Sequence, residues 1–154
     1  MCILQLTVKE IKENKEKFMD ILLIGDEQEN MVQKYLNTGL LYALYEDDIL
    51  KSVCIILPKN SDTIEIKNLA TYPKYQNQGC ASALLEFIFK KCKEKYSFII
   101  LGTGENEKTL NFYRKRGFIE FLRQEDFFIK NYDHPIFEEG VQLKDMIYLR
   151  KRLK

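Results

Sequence analysis

Four sets of residues in this sequence have side chains and spacing suited to chemistry. They are the run Gln76-Asn77-Gln78-Gly79-Cys80-Ala81-Ser82, the pair Asn106 and Tyr113, the carboxylate Glu65, and the single histidine, His134. The first run follows an alternating stretch, Thr63–Thr71, and opens a long amphipathic one, so it reads as a loop between a strand and a helix. The first turn of such a helix offers unpaired backbone N–H groups and the positive end of the helix dipole. Gly79 and the small residues Ala81 and Ser82 let a bulky anion approach the backbone, and a phosphate or pyrophosphate is the expected guest. The run is neither a P-loop, since it lacks G-K-[ST], nor a dinucleotide-binding G-x-G-x-x-G. A helix N-terminus can also depress a thiol pKa, which makes Cys80 a nucleophile candidate. A structural thiol is the expected reading of it.

The chain around these residues has 154 positions, 24 of them basic and 23 acidic, for a net charge of +1 with the histidine neutral. That length is expected to form one domain spanning 1–154. Apolar residues make up 45% and aromatics 12%, which excludes disorder as the main state. A near-zero charge lacks the basic face that nucleic acid requires, and no apolar run approaches the ~20 residues of a membrane span. The start, Met1-Cys2-Ile3-Leu4-Gln5-Leu6, has no basic region and is too short for a signal peptide, so a soluble, cytoplasmic protein is expected. Cys2, Cys54, Cys80 and Cys92 show no C-x-x-C spacing, and His134 has no second histidine, so reduced buried thiols and no metal are expected.

Hydrophobic patterning supplies the elements that must position the candidate residues. Residues 1–7 alternate weakly and read as a first strand, and Val8 to Leu36 reads as helix, split near Gly25-Asp26. Leu40–Tyr45 and Lys51–Leu57 flank the turn Glu46-Asp47-Asp48 as a hairpin, with Thr63–Thr71 as a third strand. A helix follows from about Gly79 to Lys95, with apolar positions 81, 84, 85, 88 and 92 on one stripe. Phe98–Leu101 is an unbroken apolar run typical of a strand buried on both faces. A second helix covers Glu107 to Arg116 and stops at Gly117. Phe118–Asn131 and Val141–Arg150 read as two closing strands. The order predicts an α+β chain with a mixed sheet of about six or seven strands and about four helices.

At these motifs the chain resembles the GNAT superfamily of acyl-CoA-dependent N-acyltransferases. Gln76-Asn77-Gln78-Gly79-Cys80-Ala81 matches the family's Q/R-x-x-G-x-G/A signature, with Ala81 at the Gly/Ala position. Asn106, followed seven residues later by Tyr113 and then by Arg116-Gly117-Phe118, fits its second motif. The resemblance covers about residues 1–150, with the sharp motifs within 63–118. It implies acetyl-CoA as co-substrate and no metal. It implies that Gln76 and the backbone of Gln78, Gly79, Cys80, Ala81 and Ser82 hold the coenzyme A pyrophosphate. The strand backbone at Leu69 and Thr71 would pair with the pantetheine arm, and the Leu69 N–H would donate to the thioester oxygen as charge develops there. Asn106 would bind the amide-rich arm and Tyr113 would protonate the leaving thiolate. Elementary chemistry gives Tyr113 the same task, because a phenol of pKa ~10 is neutral at pH 7 and can donate to a thiolate whose conjugate thiol has a pKa of ~8.5.

An acceptor amine of pKa ~10 arrives as ammonium, so a base is needed. Glu65 lies eleven positions before Gln76, a spacing shared with histone-acetylating members of the family, and strand alternation turns it away from Ile64 and Ile66. His134 is the alternative, in a loop that shapes the acceptor pocket in this family. Residues 20–48 carry a local charge of −6 and residues 119–145 one of −4, while Lys90, Lys91, Lys93, Lys95, Lys108, Arg114, Lys115 and Arg116 are basic. By the resemblance, the acidic stretches border the acceptor side of the cleft and the basic helices its cofactor side, which fits an anionic cofactor and a small cationic primary amine. Acetylation of protein N-termini or lysines is the alternative, and a non-catalytic acyl-CoA sensor or interaction module is a third reading. The resemblance implies that a homodimer is possible, and the apolar strand Met146–Leu149 could support it.

Overall fold

A computed structural model describes residues 5–154. Its main sheet has seven strands: β1 (Leu6–Ile11), β2 (Leu40–Glu46), β3 (Ile49–Pro58), β4 (Thr63–Thr71), β5 (Phe98–Gly104), β6 (Ile119–Gln124) and β9 (Met146–Arg152). Their spatial order is β1-β2-β3-β4-β5-β9-β6, with only the β4–β5 pair parallel. Two short strands, β7 (Phe137–Glu138) and β8 (Val141–Gln142), form a separate hairpin. The helices are α1 (Met19–Gly25), α2 (Glu29–Leu36), α3 (Cys80–Cys92), α4 (Glu107–Arg114) and α5 (Phe127–Asn131). This is the mixed α+β architecture expected. Among the described residues no helix is long and apolar enough to cross a membrane.

Strand alternation divides the core between the two sheet faces. Tyr42, Leu44, Cys54 and Ile56 face α3, packing with Leu84, Leu85 and Ile88. Leu41, Ala43, Val53 and Ile55 face α1 and α2, packing with Ile21, Leu22, Val32 and Leu36. Each such fully buried aliphatic side chain contributes about 1.5–3 kcal/mol of transfer free energy. A third, smaller cluster of Phe128, Ile136 and Leu143 sits beneath the α5 and β7–β8 segment.

One register fault shapes everything that follows. Ile55 pairs with Asn68, but the next residue, Ile56, pairs with Ile66, so Lys67 is an extra residue in β4. A bulge of this kind bends a strand and reverses the face to which later side chains point. Before it, Ile64 and Ile66 pack on the α3 face; beyond it, Leu69 takes that face and Ala70 the other. Asn68 thereby turns toward α1 and α2, donating its amide to the Leu22 carbonyl and the Tyr35 hydroxyl, both at 2.9 Å. Parallel pairing of β4 with β5 runs from Thr63–Phe98 to Ile66–Leu101 and stops where the bulge begins. From there β4 and β5 part, and a gap opens in the middle of the sheet.

The structure corrects three of the sequence boundaries. Val8–Ile11 is strand rather than helix, because Val8 pairs with Leu44 and Ile11 with Leu41 along the sheet edge. Long-range pairing outweighs the helix-like mixture of Lys and Glu there. Of the expected first strand, residues 1–4 lie outside the described residues. The stretch 118–131 is strand only to Gln124 and then turns through Asp126, at φ 55°, into α5. The stretch 141–150 is broken at Leu143, whose side chain is buried in the third cluster, so β8 and β9 are separate strands. Met146–Leu149 belongs to an inner strand between β5 and β6, with Ile147 and Leu149 in the core. The exposed apolar residues of that region are Ile119, Phe121 and Leu122 on β6.

Candidate active site

Three connected spaces occupy the gap and its two mouths. On the α3–α4 side lies a cleft of about 650 Å³, walled by Leu69, Thr71, residues 75–77 and 79–82 and the α4 residues Lys108, Thr109, Phe112 and Tyr113, with Arg116 just beyond and Gln78 outside the wall. The gap itself, about 240 Å³, runs between Ile66–Thr71 of β4 and Leu101–Thr103 of β5. On the far side a chamber of about 370 Å³ is bounded by the end of α1, by Gly102–Gly104, and by Phe128, Tyr132, Ile136 and Leu143. Ile24 and Glu138 border all three. Tyr113 borders the large cleft and the gap.

The first mouth has features that suit an anion. Gly79 adopts φ +84° just before α3, a left-handed conformation that L side chains disfavour, and a Cβ placed there meets no atom within 4 Å. The backbone therefore turns sharply while leaving the space before the helix open. Gln76 and Gln78 brace the loop, donating to the carbonyls of Thr71 at 3.1 Å and Lys74 at 3.2 Å. The Thr71 side chain is tied to Ser52 at 2.9 Å. Arg116 reaches across from just past α4: its guanidinium lies 3.8 Å over the Phe112 ring, donates to the Phe112 carbonyl at 2.8 Å and hydrogen-bonds Ser82. Helix dipole, open backbone and guanidinium converge on one mouth.

Tyr113 stands between that mouth and the gap. Its ring is buried edge-on to Phe112 and Phe118, with centroids 5.2 and 5.5 Å away. Burial pushes its phenol well above its ordinary pKa, so the hydroxyl stays protonated at neutral pH and is available as a donor. Burial also raises the Cys80 thiol, against the lowering effect of Lys51, which opposes thiolate formation and a nucleophilic role. Cys54, Cys80 and Cys92 are buried free thiols. Among the described residues no cluster of three or more His, Cys, Asp or Glu is placed to hold a metal.

Asn106 is committed in two directions. As N-cap of α4 its Oδ1 accepts the N–H groups of Lys108 and Thr109, at 2.9 and 3.3 Å. Its Nδ2 donates to Oε2 of Glu138 at 3.1 Å. Glu138 is exposed as a residue, yet the surrounding wall partly desolvates its carboxyl and raises its pKa, while the Asn106 amide lowers it.

The sequence-predicted residues are thus only partly brought together. Leu69, Thr71, Gln76, Gly79, Cys80, Ala81, Ser82, Asn106 and Tyr113 share the large cleft. Glu65 borders none of the three spaces; it sits in the still-paired part of β4, opposite Ile100, with Lys67 at 3.6 Å. The alternation that turns it from Ile64 is real, but the gap opens two residues later and beyond the bulge. His134 lies by a separate cavity of about 210 Å³, with Nδ1 2.5 Å from Asp133 and Nε2 3.1 Å from Glu27. Both carboxylates raise its pKa. The residues that sequence patterning did not single out are Glu138, Asp26 and Glu27 on the chamber side, and the contact of Arg116 with Ser82. The two local acidic stretches were the only signal for the first three.

The pattern of the acetyltransferase (GNAT) domain family matches residues 37–120. The chain is 34% identical over 140 residues to the uncharacterized N-acetyltransferase YvbK of Bacillus subtilis (strain 168), covering 90% of each protein. Among solved structures it is similar to a GNAT family acetyltransferase from Elizabethkingia anophelis with acetyl-CoA bound. That match has 32% identity and a TM-score of 0.91, covering 96% of this chain and 97% of the other. It is also similar to a Bacillus subtilis acetyltransferase in complex with CoA, at 33% identity and a TM-score of 0.88, covering 97% and 100%.

Proposed function

We propose, for a chain that belongs to the GNAT family of acetyltransferases, transfer of the acetyl group of acetyl-CoA to the primary amine of a small cationic molecule. The observation that carries this reading is the break between β4 and β5, with a buried neutral phenol on its wall and an anion-binding mouth on one side only. The cleft residues fit coenzyme A. The open backbone from Gln78 to Ser82 and the Arg116 guanidinium receive its phosphates, and the unpaired edge of β4 beyond the bulge receives its arm as an added strand. Leu69, at the centre of that edge, supplies the N–H that meets developing charge on the thioester oxygen. Tyr113 donates the proton that the departing thiolate needs. The chamber opposite carries Asp26, Glu27 and Glu138 against one lysine, Lys67, and this excess of negative charge favours a cationic acceptor.

The test is thiol release from acetyl-CoA across a library of primary amines, amino acids and peptides. Turnover with small cationic amines is the expected result. Turnover with peptides alone replaces the small-molecule reading with protein acetylation, and binding of acetyl-CoA without turnover on any amine makes the protein a binder.

A further inference from the structure

Resting on that acetyl transfer, we propose that Glu138 is the group that takes a proton from the acceptor amine, and that Asn106 is its positioning residue. The carboxylates near the gap separate by what already holds them. Both oxygens of Asp26 accept tyrosine hydroxyls, from Tyr132 at 2.7 Å and Tyr35 at 3.2 Å. Glu27 is engaged by His134, and Glu139 pairs with Lys108 at 3.5 Å on the cofactor side. Glu65 lies in the zipped part of the sheet. The β5 wall of the gap offers Leu101, Gly102 and Thr103, none of which titrates. Glu138 remains: it borders cleft, gap and chamber together, and among the described residues its side chain is held through Oε2, by Asn106.

Asn106 links this base to the acid. The same side chain that holds Glu138 caps α4, the helix that carries Tyr113. One residue thereby orients the carboxylate and anchors the helix of the phenol, and both groups border the cleft and the gap. The proton inventory closes on these two groups. An ammonium carries three protons and the product amide keeps one, so two leave nitrogen. The first passes to Glu138 and from its exposed side to water, freeing the lone pair that forms the C–N bond. The C–S bond breaks, Tyr113 protonates the sulfur, and the second proton from nitrogen restores the phenol. One proton is released to solvent per turnover. The partial desolvation of Glu138 moves its carboxyl toward neutrality, where a base both ionises and accepts.

The experiment compares wild type, Glu138→Gln and Asn106→Ser with an amine that the wild type acetylates, following kcat against pH at saturating substrates. Glu138→Gln is expected to lower kcat by roughly 10²-fold or more, and to replace the low-pH limb with a rise continuing toward the amine's own pKa. Asn106→Ser keeps an N-cap oxygen but loses the amide donor. It is expected to move the low-pH limb to higher pH, because the hydrogen bond that lowers the Glu138 pKa is gone. A residue that merely capped α4 would leave that limb in place. A Glu138→Gln enzyme with wild-type kcat and an unchanged low-pH limb overturns the assignment while leaving acetyl transfer intact. A wild type that acetylates no amine overturns the transfer reading, and this assignment with it.

Discussion

The guanidinium of Arg116 lies 3.8 Å above the ring of Phe112 and bonds Ser82, joining the end of α4 to the first turn of α3. Stacking holds the planar group in place before any anion arrives, so little side-chain freedom is lost on binding. Arg116→Met keeps the stem and removes the charge. It is expected to weaken acetyl-CoA binding by about tenfold or more, since charge-assisted hydrogen bonds contribute about 1.5–3 kcal/mol each, with a smaller effect on kcat. Titration calorimetry with CoA at two salt concentrations checks this, and the variant is expected to be the less salt-sensitive.

Tyr113→Phe removes one hydroxyl from a ring that Phe112 and Phe118 hold in place. The fold is expected to persist and kcat to fall by roughly 10²-fold or more, with CoA affinity nearly unchanged. Because burial raises the Tyr113 pKa, its ionisation leaves no alkaline limb in the range where an ordinary tyrosine titrates. Rates at saturating amine up to pH 10 test this; a variant as fast as wild type removes Tyr113 from the proton pathway.

Gly79→Ala separates backbone strain from crowding. With φ at +84° and open space around the new Cβ, the stability cost is conformational only, about 1–2 kcal/mol. With the phosphates received as proposed, the same Cβ would stand in their approach, so CoA affinity is expected to fall as well. Thermal unfolding with and without CoA measures both, and the ligand-induced rise in Tm is expected to shrink.

His134 ties residues 26–28 to residues 132–134, together with Tyr132 on Asp26 and Asp133 on Gln28. Its pKa is raised in the folded chain by Asp133 and Glu27, so the folded state holds the proton more tightly than the unfolded one. The contribution is therefore complete below the unfolded value of about 6.5 and is lost as pH rises through the higher folded value. His134→Gln is expected to leave the alkaline stability unchanged and to lower the acidic stability. Proton NMR of the imidazole supplies the titration, and a midpoint below 6.5 refutes the prediction.

The sequence displayed one half of this site far better than the other. Gly79, Gln76 and the Asn106–Tyr113 pair stand in local motifs, where a turn, a helix start or a seven-residue spacing is written in neighbouring positions. The hairpin of β2 and β3 and the strands β4 and β5 were legible for the same reason. Glu138 sits in a two-residue strand, and its partner Asn106 is thirty-two positions earlier. Nothing local marks such a contact. The strand state of Val8–Ile11 is not legible locally because it depends on β2, thirty or more residues away. Alternation gives the face of Glu65, but the bulge beyond it, where pairing with β5 ends, is not visible in alternation alone.

That bulge has a consequence of its own. The gap between β4 and β5 depends on the number of residues in β4, since the count of two steps against one forces the strands apart at Lys67. Replacing Lys67 by another residue that tolerates an extended backbone leaves the count intact. Removing it would make the ladder with β3 regular, with Asn68 following Ile66 on their present faces, and would let β4 run on beside β5. The position is thus open to substitution and closed to deletion: its side chain is dispensable to the cleft and its peptide unit is not.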